Sequence, residues 1–169
     1  MLERTVDSPT GMVVSLHSHG DTSGVAMIHQ NELHLVAGKG IEQDRRYFGR
    51  SNHKTGRPYR RQVTLVEREM IAEHAAVLGL PSIPPGVVRS NIETEGANLG
   101  NWLGHDVQIG TAVVRFYEMR TPCGQMDAIC SGLRTLMKNG RQGVLAEVIQ
   151  SGIVRVGDVV AVRERGNCQ

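Results

Sequence analysis

Apolar positions along this chain fall in short runs, most of them rich in β-branched residues. Met12-Val13-Val14-Ser15-Leu16, Leu33-His34-Leu35-Val36, Asp106 to Gly110, Ala112 to Tyr117, Val144 to Ile149 and Val154 to Val162 all have this character. Runs of this length and composition predict strands. Glycine-containing turns separate them: Leu103-Gly104-His105, Gly110-Thr111, Ser151-Gly152 and Val156-Gly157-Asp158. Many short strands at close spacing predict a mainly β fold, a barrel or sandwich, rather than a parallel sheet. Two stretches carry helical spacing instead. Val66, Met70, Ile71, Ala75 and Leu78 share one face, which predicts a helix from about Leu65 to Leu78. Thr64 and Glu67 fit a capping box at its start, and Gly79 and Pro81 supply a stop. A second helix is expected over Gln125 to Lys138, ending at Asn139-Gly140, and a short turn over Asn98 to Leu103.

Composition narrows the class. The chain has 169 residues, enough to bury a core without disulfides or structural metal. No internal repeat or linker interrupts it, so one domain is expected over residues 10–164, with tails at 1–9 and 165–169. No apolar run approaches the roughly 18 residues of a membrane span, and the first nine residues do not resemble a leader. Net charge is only +2 and aromatic residues are 4 % of the chain. That scarcity of stacking side chains argues against a single-strand nucleic-acid binder. Three cysteines without an export signal suggest free thiols in a reducing compartment, so a cytoplasmic location is expected.

Charge is unevenly placed. Between Gly38 and Arg61 stand eight cations (Lys39, Arg45, Arg46, Arg50, Lys54, Arg57, Arg60 and Arg61) against two acids, Glu42 and Asp44. Arginine forks match phosphate and carboxylate oxygens, and the glycines of Gly38-Lys39-Gly40 allow close backbone approach. The segment is not a Walker A loop, since the G-x-x-x-x-G-K-[ST] spacing is absent. A solvated surface loop is the competing reading. Farther on, Arg89-Ser90-Asn91 looks like the approach to a strand, which would place the Arg89 charge and the Asn91 amide on one side; a plain surface strand competes.

Of the thiols, Cys168 lies in the expected tail and Cys130 among apolar residues of the second helix, where a packed core role is expected. Cys123 differs. It sits in Met119-Arg120-Thr121-Pro122-Cys123-Gly124, between a β-rich run and a helix. Free N–H groups at a helix start favour a thiolate there, and Arg120 adds to this. A packed thiol is the alternative. No C-x-x-C, H-E-x-x-H or helical histidine pair accompanies it. His17 and His19 would share a strand face, but two histidines make no site, and they are expected at the surface.

In order, the motifs Gly38-Lys39-Gly40-Ile41-Glu42-Gln43-Asp44-Arg45, Gln62 to Glu67, Arg89-Ser90-Asn91-Ile92, Asn98-Leu99 through Gly104, Ile109-Gly110, Arg120-Thr121-Pro122-Cys123, and Gly152 with Val156-Gly157-Asp158 resemble the MOSC family. That domain closes molybdenum cofactor sulfurases and also occurs as stand-alone bacterial proteins. The likeness runs from about Val13 to Val162. It implies a MOSC-type β-barrel with a few peripheral helices, and binding of the molybdenum cofactor (molybdopterin). It implies that Cys123 is the molybdenum ligand or a sulfur-handling residue, and that Lys39, Asp44, Arg45, Arg89 and Asn91 line the cofactor pocket. Gln43 departs from the pattern, which has glycine there, and Arg46-Tyr47 replace a frequent histidine. The sulfurases' pyridoxal-phosphate domain does not fit in this length, so Lys39 is not read as a Schiff-base lysine.

Relatives of this type include reductases of N-hydroxylated compounds. The leading expectation is therefore a molybdenum-cofactor reductase acting on a small-molecule substrate. A separate electron-donor protein would serve it, because no dinucleotide fingerprint or iron–sulfur cysteine set is present. A sulfur-transfer or cofactor-carrier protein with a persulfide on Cys123 is the second expectation. A non-catalytic module for an anionic ligand is the third.

Overall fold

The computed structural model describes residues 10–164. The expected tails, and Cys168 with them, lie outside the described residues. The strands are β1 (Thr10–Ser18), β2 (Ile28–Gln30), β3 (Glu32–Val36), β4 (Gly40–Ile41), β5 (Val63–Glu67), β6 (Ile92–Glu95), β7 (Asp106–Ile109), β8 (Ala112–Met119), β9 (Val144–Gln150), β10 (Gly152–Arg155) and β11 (Val159–Val162). The helices are α1 (Arg68–Val77), α2 (Gln125–Ile129) and α3 (Leu133–Leu136), with a 3₁₀ turn at Leu99–Trp102. The expected mainly β fold with peripheral helices is what the chain forms.

Seven strands close on themselves in the order β1-β11-β7-β8-β9-β5-β6, and β6 returns to β1. The seam pairs Thr10 with Ala161 and Met12 with Val159. Closure removes the sheet edges that would otherwise invite another chain. β5 and β6 run parallel, while the other barrel pairs are antiparallel. β2 extends β1 outward, and β10-β3-β4 form a small second sheet.

The barrel interior holds Val13, Leu16, Leu65, Ile92, Val114, Phe116 and Val144, with Trp102 stacked on Phe116 at a ring separation of 6.4 Å. A second apolar cluster lies under the helices and joins Val66, Ile71, Val88, Met126, Leu133 and Met137. β5 therefore packs on both faces: Leu65 enters one cluster and Val66 the other. Gly143 sits close behind it with φ of 86°, and a Cβ there would overlap the Leu65 carbonyl.

Double burial explains the first correction to the sequence reading. The expected helix from Leu65 begins only at Arg68, because Leu65–Glu67 pair with Ile92–Thr94 as a strand. Neither capping-box side chain caps. Thr64 is bonded to Asn91, and Glu67 Oε1 accepts from the Leu99 N–H at 2.9 Å. The second expected helix is also broken. Cys130 is extended (φ −155°, ψ 131°) and Gly132 is left-handed (φ 93°), so two short helices replace one long one. Asp127 Oδ1 accepts the Gly132 and Arg134 N–H groups and starts the second of them. Cys130 is half-buried against the outer cluster, close to its expected packing role, but as the residue that ends a helix. Among the described residues, no helix is long and apolar enough to cross a membrane.

Candidate functional site

A bulge at Val14 shifts the register of β1 against β6. Beyond it Leu16 stays in the core, while Ser15 and His17 face the other way. Both histidines expected at the surface are buried, with His17 2 % and His19 5 % exposed. The reason is a partner for each ring. His17 Nδ1 stands 3.0 Å from the Ser90 carbonyl, and its Nε2 is 2.7 Å from Ser15 Oγ. His19 Nδ1 stands 2.7 Å from Asp44 Oδ2.

Asp44 is the centre of the arrangement and is 1 % exposed. Its Oδ2 also accepts the His19 N–H at 3.1 Å and the Asn91 amide at 3.1 Å. Its Oδ1 accepts the N–H groups of Arg46 and Tyr47 at 3.1 and 3.0 Å. Burial alone pushes this carboxyl up. The His19 ring and the N–H groups of His19 and Tyr47 outweigh burial, and the net pKa lies below the usual aspartate value. Asn91 is equally occupied. Its Oδ1 accepts from Thr64 N and Oγ1, both at 3.0 Å, and its Nδ2 donates to the His17 carbonyl as well as to Asp44. Asp44 and Asn91 thus come together, bridging β1, the loop after β4, β5 and the approach to β6.

Gln43, the departure from the family pattern, takes no left-handed conformation. Its amide ties the loop to β3, accepting from His34 N and donating to the Glu32 carbonyl. Lys39 and Arg45 are exposed on this loop. Neither is among the groups that act most strongly on Arg120.

Next to this frame lies a set of cations with few partners. Tyr47 meets the His19 ring edge-on at 5.3 Å, with the Arg61 guanidinium 4.9 Å and that of Arg46 5.5 Å from its ring centre. The buried Arg61 Nε has no hydrogen-bond partner. Arg120 is 6 % exposed, and its Nη1 donates to the Val88 carbonyl at 3.2 Å. Burial foremost, then repulsion from Arg61, depresses its pKa from the usual arginine value to about 10, with Cys123 and Tyr47 opposing and Arg89 adding to the depression. Among the described residues no carboxylate pairs with Arg61, Arg89 or Arg120. The Ser90 hydroxyl is also buried without a partner.

Cys123 is a free, exposed thiol in this neighbourhood, beyond the buried Pro122. Its setting differs from the expected one in a single respect: the helix behind it is five residues long. Arg89 does not sit on a strand beside Asn91. It is left-handed (φ 62°), and its guanidinium donates to the Val25 carbonyl at 2.9 Å. Sequence reasoning selected Cys123 and Arg89, but it counted Arg61 only among the eight cations of the basic segment, took Tyr47 only as a departure from the family pattern, placed His19 at the surface, and treated Arg120 only as a neighbour of the thiol. One signal was available: Arg61 and Arg120 each flank a buried apolar strand, where a cation is costly unless it serves something.

Fold and site together define a closed β-barrel protein with a thiol beside unpaired arginines. The chain belongs to the MOSC family, whose domain model matches residues 18–161. Among solved structures it is similar to the YuaD protein of Bacillus subtilis, at 22% identity and a TM-score of 0.75, covering 92% of this chain and 97% of that one. It is also similar to YiiM from Escherichia coli, at 22% identity and a TM-score of 0.65, covering 91% of this chain and 70% of that one. YiiM from Geobacillus stearothermophilus follows at 16% identity and a TM-score of 0.64, covering 94% and 77%. At these identities the likeness is one of fold. No curated protein matches the chain.

Proposed function

We propose that this protein binds the molybdenum cofactor and reduces N-hydroxylated compounds, with Cys123 as the metal's protein ligand. The observation that carries the reading is the buried, uncompensated charge of Arg120, with the half-buried Arg61 near it, beside an exposed thiol. A buried cation without a counter-ion is costly, and the depression of Arg120 to about 10 corresponds to roughly 3 kcal/mol against its charged form. An anionic ligand relieves that cost. The residues present fit a phosphate-bearing cofactor: Arg61 Nε and Ser90 Oγ are buried donors without partners. They also fit a soft metal. Among the described residues, no three histidine, cysteine or acidic side chains gather to hold a metal ion. A lone thiolate suits a metal that arrives with its own donors.

When bound, the cofactor supplies a molybdenum centre able to exchange two electrons and take up oxygen from an N–O bond. The net reaction consumes two electrons and two protons and yields the reduced nitrogen compound and water. Electrons come from a separate donor protein. In this reading Arg120 and Arg61 hold the anionic part of the cofactor, and Arg89 and the loop cations Lys39 and Arg45 add attraction at the rim. Asp44 and Asn91 fix the loop that carries Tyr47, and through it the position of Arg61. The chain's placement in the cytoplasm belongs to the same proposal.

The experiment is metal analysis with pterin fluorescence on protein from a cofactor-competent host. Molybdenum and pterin in equal amounts, both lost in Arg120→Met and molybdenum lost in Cys123→Ala, is the expected result. Absence of both from the wild type sinks the proposal. The exposure of Cys123 also favours the sulfur-transfer reading, since a donor can reach the thiol. Cyanide-labile sulfur on Cys123 without molybdenum would establish that alternative. The anionic-ligand module is what remains if neither is found.

A further inference from the structure

Glu67 ends β5 and stands at the N-cap of α1. It is 6 % exposed, and its two oxygens differ. Oε1 accepts the Leu99 N–H at 2.9 Å, while Oε2 is buried without a hydrogen-bond partner. Among the described residues it is the one buried carboxylate oxygen left without a donor. A buried acceptor in that state calls for an explanation. Acids at a helix start answer the positive end of its dipole, but that supplies no donor, and Glu67 makes no side-chain cap. Arg68, the next residue, does not serve it either. Its guanidinium bonds to Glu93 Oε1 and to the Ile83 carbonyl, each at 2.8 Å.

Glu67 also lines an open pocket of about 360 Å³ between the start of α1 and the segment from Gly96 to Asn98. Glu69 and Glu73 line it too, and no lysine, arginine or histidine does. Glu69 Oε1 accepts the Gly96 N–H at 2.9 Å. Glu73 pairs with Arg141 at 3.0 Å, where both side chains are exposed. Met70 and Ala97 supply apolar surface, and Asn98 an amide. Burial foremost pushes the Glu67 carboxyl above the usual glutamate value. The Leu99 N–H opposes this, and the charges of Glu69 and Glu73 add to the rise.

We infer that this pocket binds an organic ammonium ion on an aliphatic stem, with Glu67 Oε2 and Glu69 accepting its N–H groups. An ammonium group is a compact cation with three donors, and its carbon stem finds Met70 and Ala97. A metal ion is not matched, because among the described residues no three histidine, cysteine or acidic side chains gather to hold one. The site lies at the opposite end of β5 from Thr64 and Asn91 and uses none of the residues assigned to the molybdenum cofactor. A free alkylamine and the lysine side chain of a partner protein share this chemistry.

The test is an amide NMR titration of the full chain with putrescine and, separately, with Nα-acetyl-lysine methylamide. The Gly96 and Leu99 N–H groups report directly, since Glu69 and Glu67 accept from them. Saturable shifts at both are expected with at least one probe at millimolar concentration. Tighter binding of putrescine identifies a free amine as the source, and tighter binding of the lysine derivative a protein side chain. Glu67→Gln keeps an oxygen for the Leu99 N–H and removes the charge. It is expected to weaken binding at least tenfold with the melting temperature unchanged or raised. Glu69→Gln, at an exposed position, is expected to weaken binding several-fold and carries the test if Glu67→Gln does not fold. No saturable shift with either probe overturns the inference, as does binding of wild-type strength in whichever variants fold. Magnesium ion binding there more tightly than either amine overturns it as well.

Discussion

Two groups of buried polar side chains sit side by side in this barrel and differ in one property. Around Asp44 and Asn91, the side-chain acceptors and donors are met from within the chain, by His19, Thr64, Arg46 N and Tyr47 N. Around Arg120, the Arg61 Nε has no partner, and among the described residues no carboxylate pairs with either guanidinium. A saturated network holds a fold in one shape. An unsaturated one retains free energy of interaction for a ligand. The contrast divides the residues that the family resemblance groups together: Asp44 and Asn91 are satisfied from within the chain, whereas the Cys123 thiol is exposed beside Arg120. In the proposed function the first two frame the site, and Cys123, with Arg61 and Arg120, meets the ligand.

The sharpest way to break the contrast is Asp44→Ala. It removes the shared acceptor of the His19 ring, the Asn91 amide and three backbone N–H groups, and should cost about 3 kcal/mol or more in urea unfolding. Arg120→Met should do the reverse. Removing an uncompensated buried charge should leave the ligand-free protein as stable or about 1 kcal/mol more stable, while cofactor content falls at least tenfold. A variant that destabilises as much as Asp44→Ala would place Arg120 in the frame instead.

The third effect is acid sensitivity. Burial lowers the pKa of His17 below 6.5, against the opposing pull of Glu93, so the folded state binds its proton less readily than the unfolded chain. Stability should therefore fall as pH drops through 6.5, by at most about 1.4 kcal/mol per unit, down to the depressed folded value. His17→Gln should flatten the melting temperature over that window. Asp44, whose pKa is lowered in the fold, contributes stability that is lost only in a separate window below about 3.8. The smallest effect belongs to the exposed cations. Lys39→Ala and Arg45→Ala should change stability by less than about 0.5 kcal/mol, and weaken cofactor retention chiefly at low salt.

The barrel was legible because its strands are short, β-branched and closed by glycine turns. The start of α1 was not. β5 is buried on both faces, so its apolar residues do not alternate, and a doubly buried strand cannot be told from a helix by period. Thr64 and Glu67 completed the ambiguity by imitating a cap, when their real partners, Asn91 and Leu99, lie 27 and 32 positions away. The same distance hid the histidines. His17 and His19 are buried by Ser90 and Asp44, which local sequence does not announce. The strand-to-helix setting of Cys123 was readable because its turn is local, from Arg120 through Gly124. Arg61 needed the loop around Tyr47 to be seen folded.

The seam of the barrel has a kinetic consequence. β1 meets β11 through Thr10 and Ala161, about 150 residues apart along the chain. Contacts of such separation pay the largest loop-closure entropy, so they form late and slow the whole reaction. Until they form, Met12 and Val159 belong to two open strand edges able to pair with another chain. Refolding yield should therefore depend on protein concentration, even though the finished barrel shows no free edge at that seam.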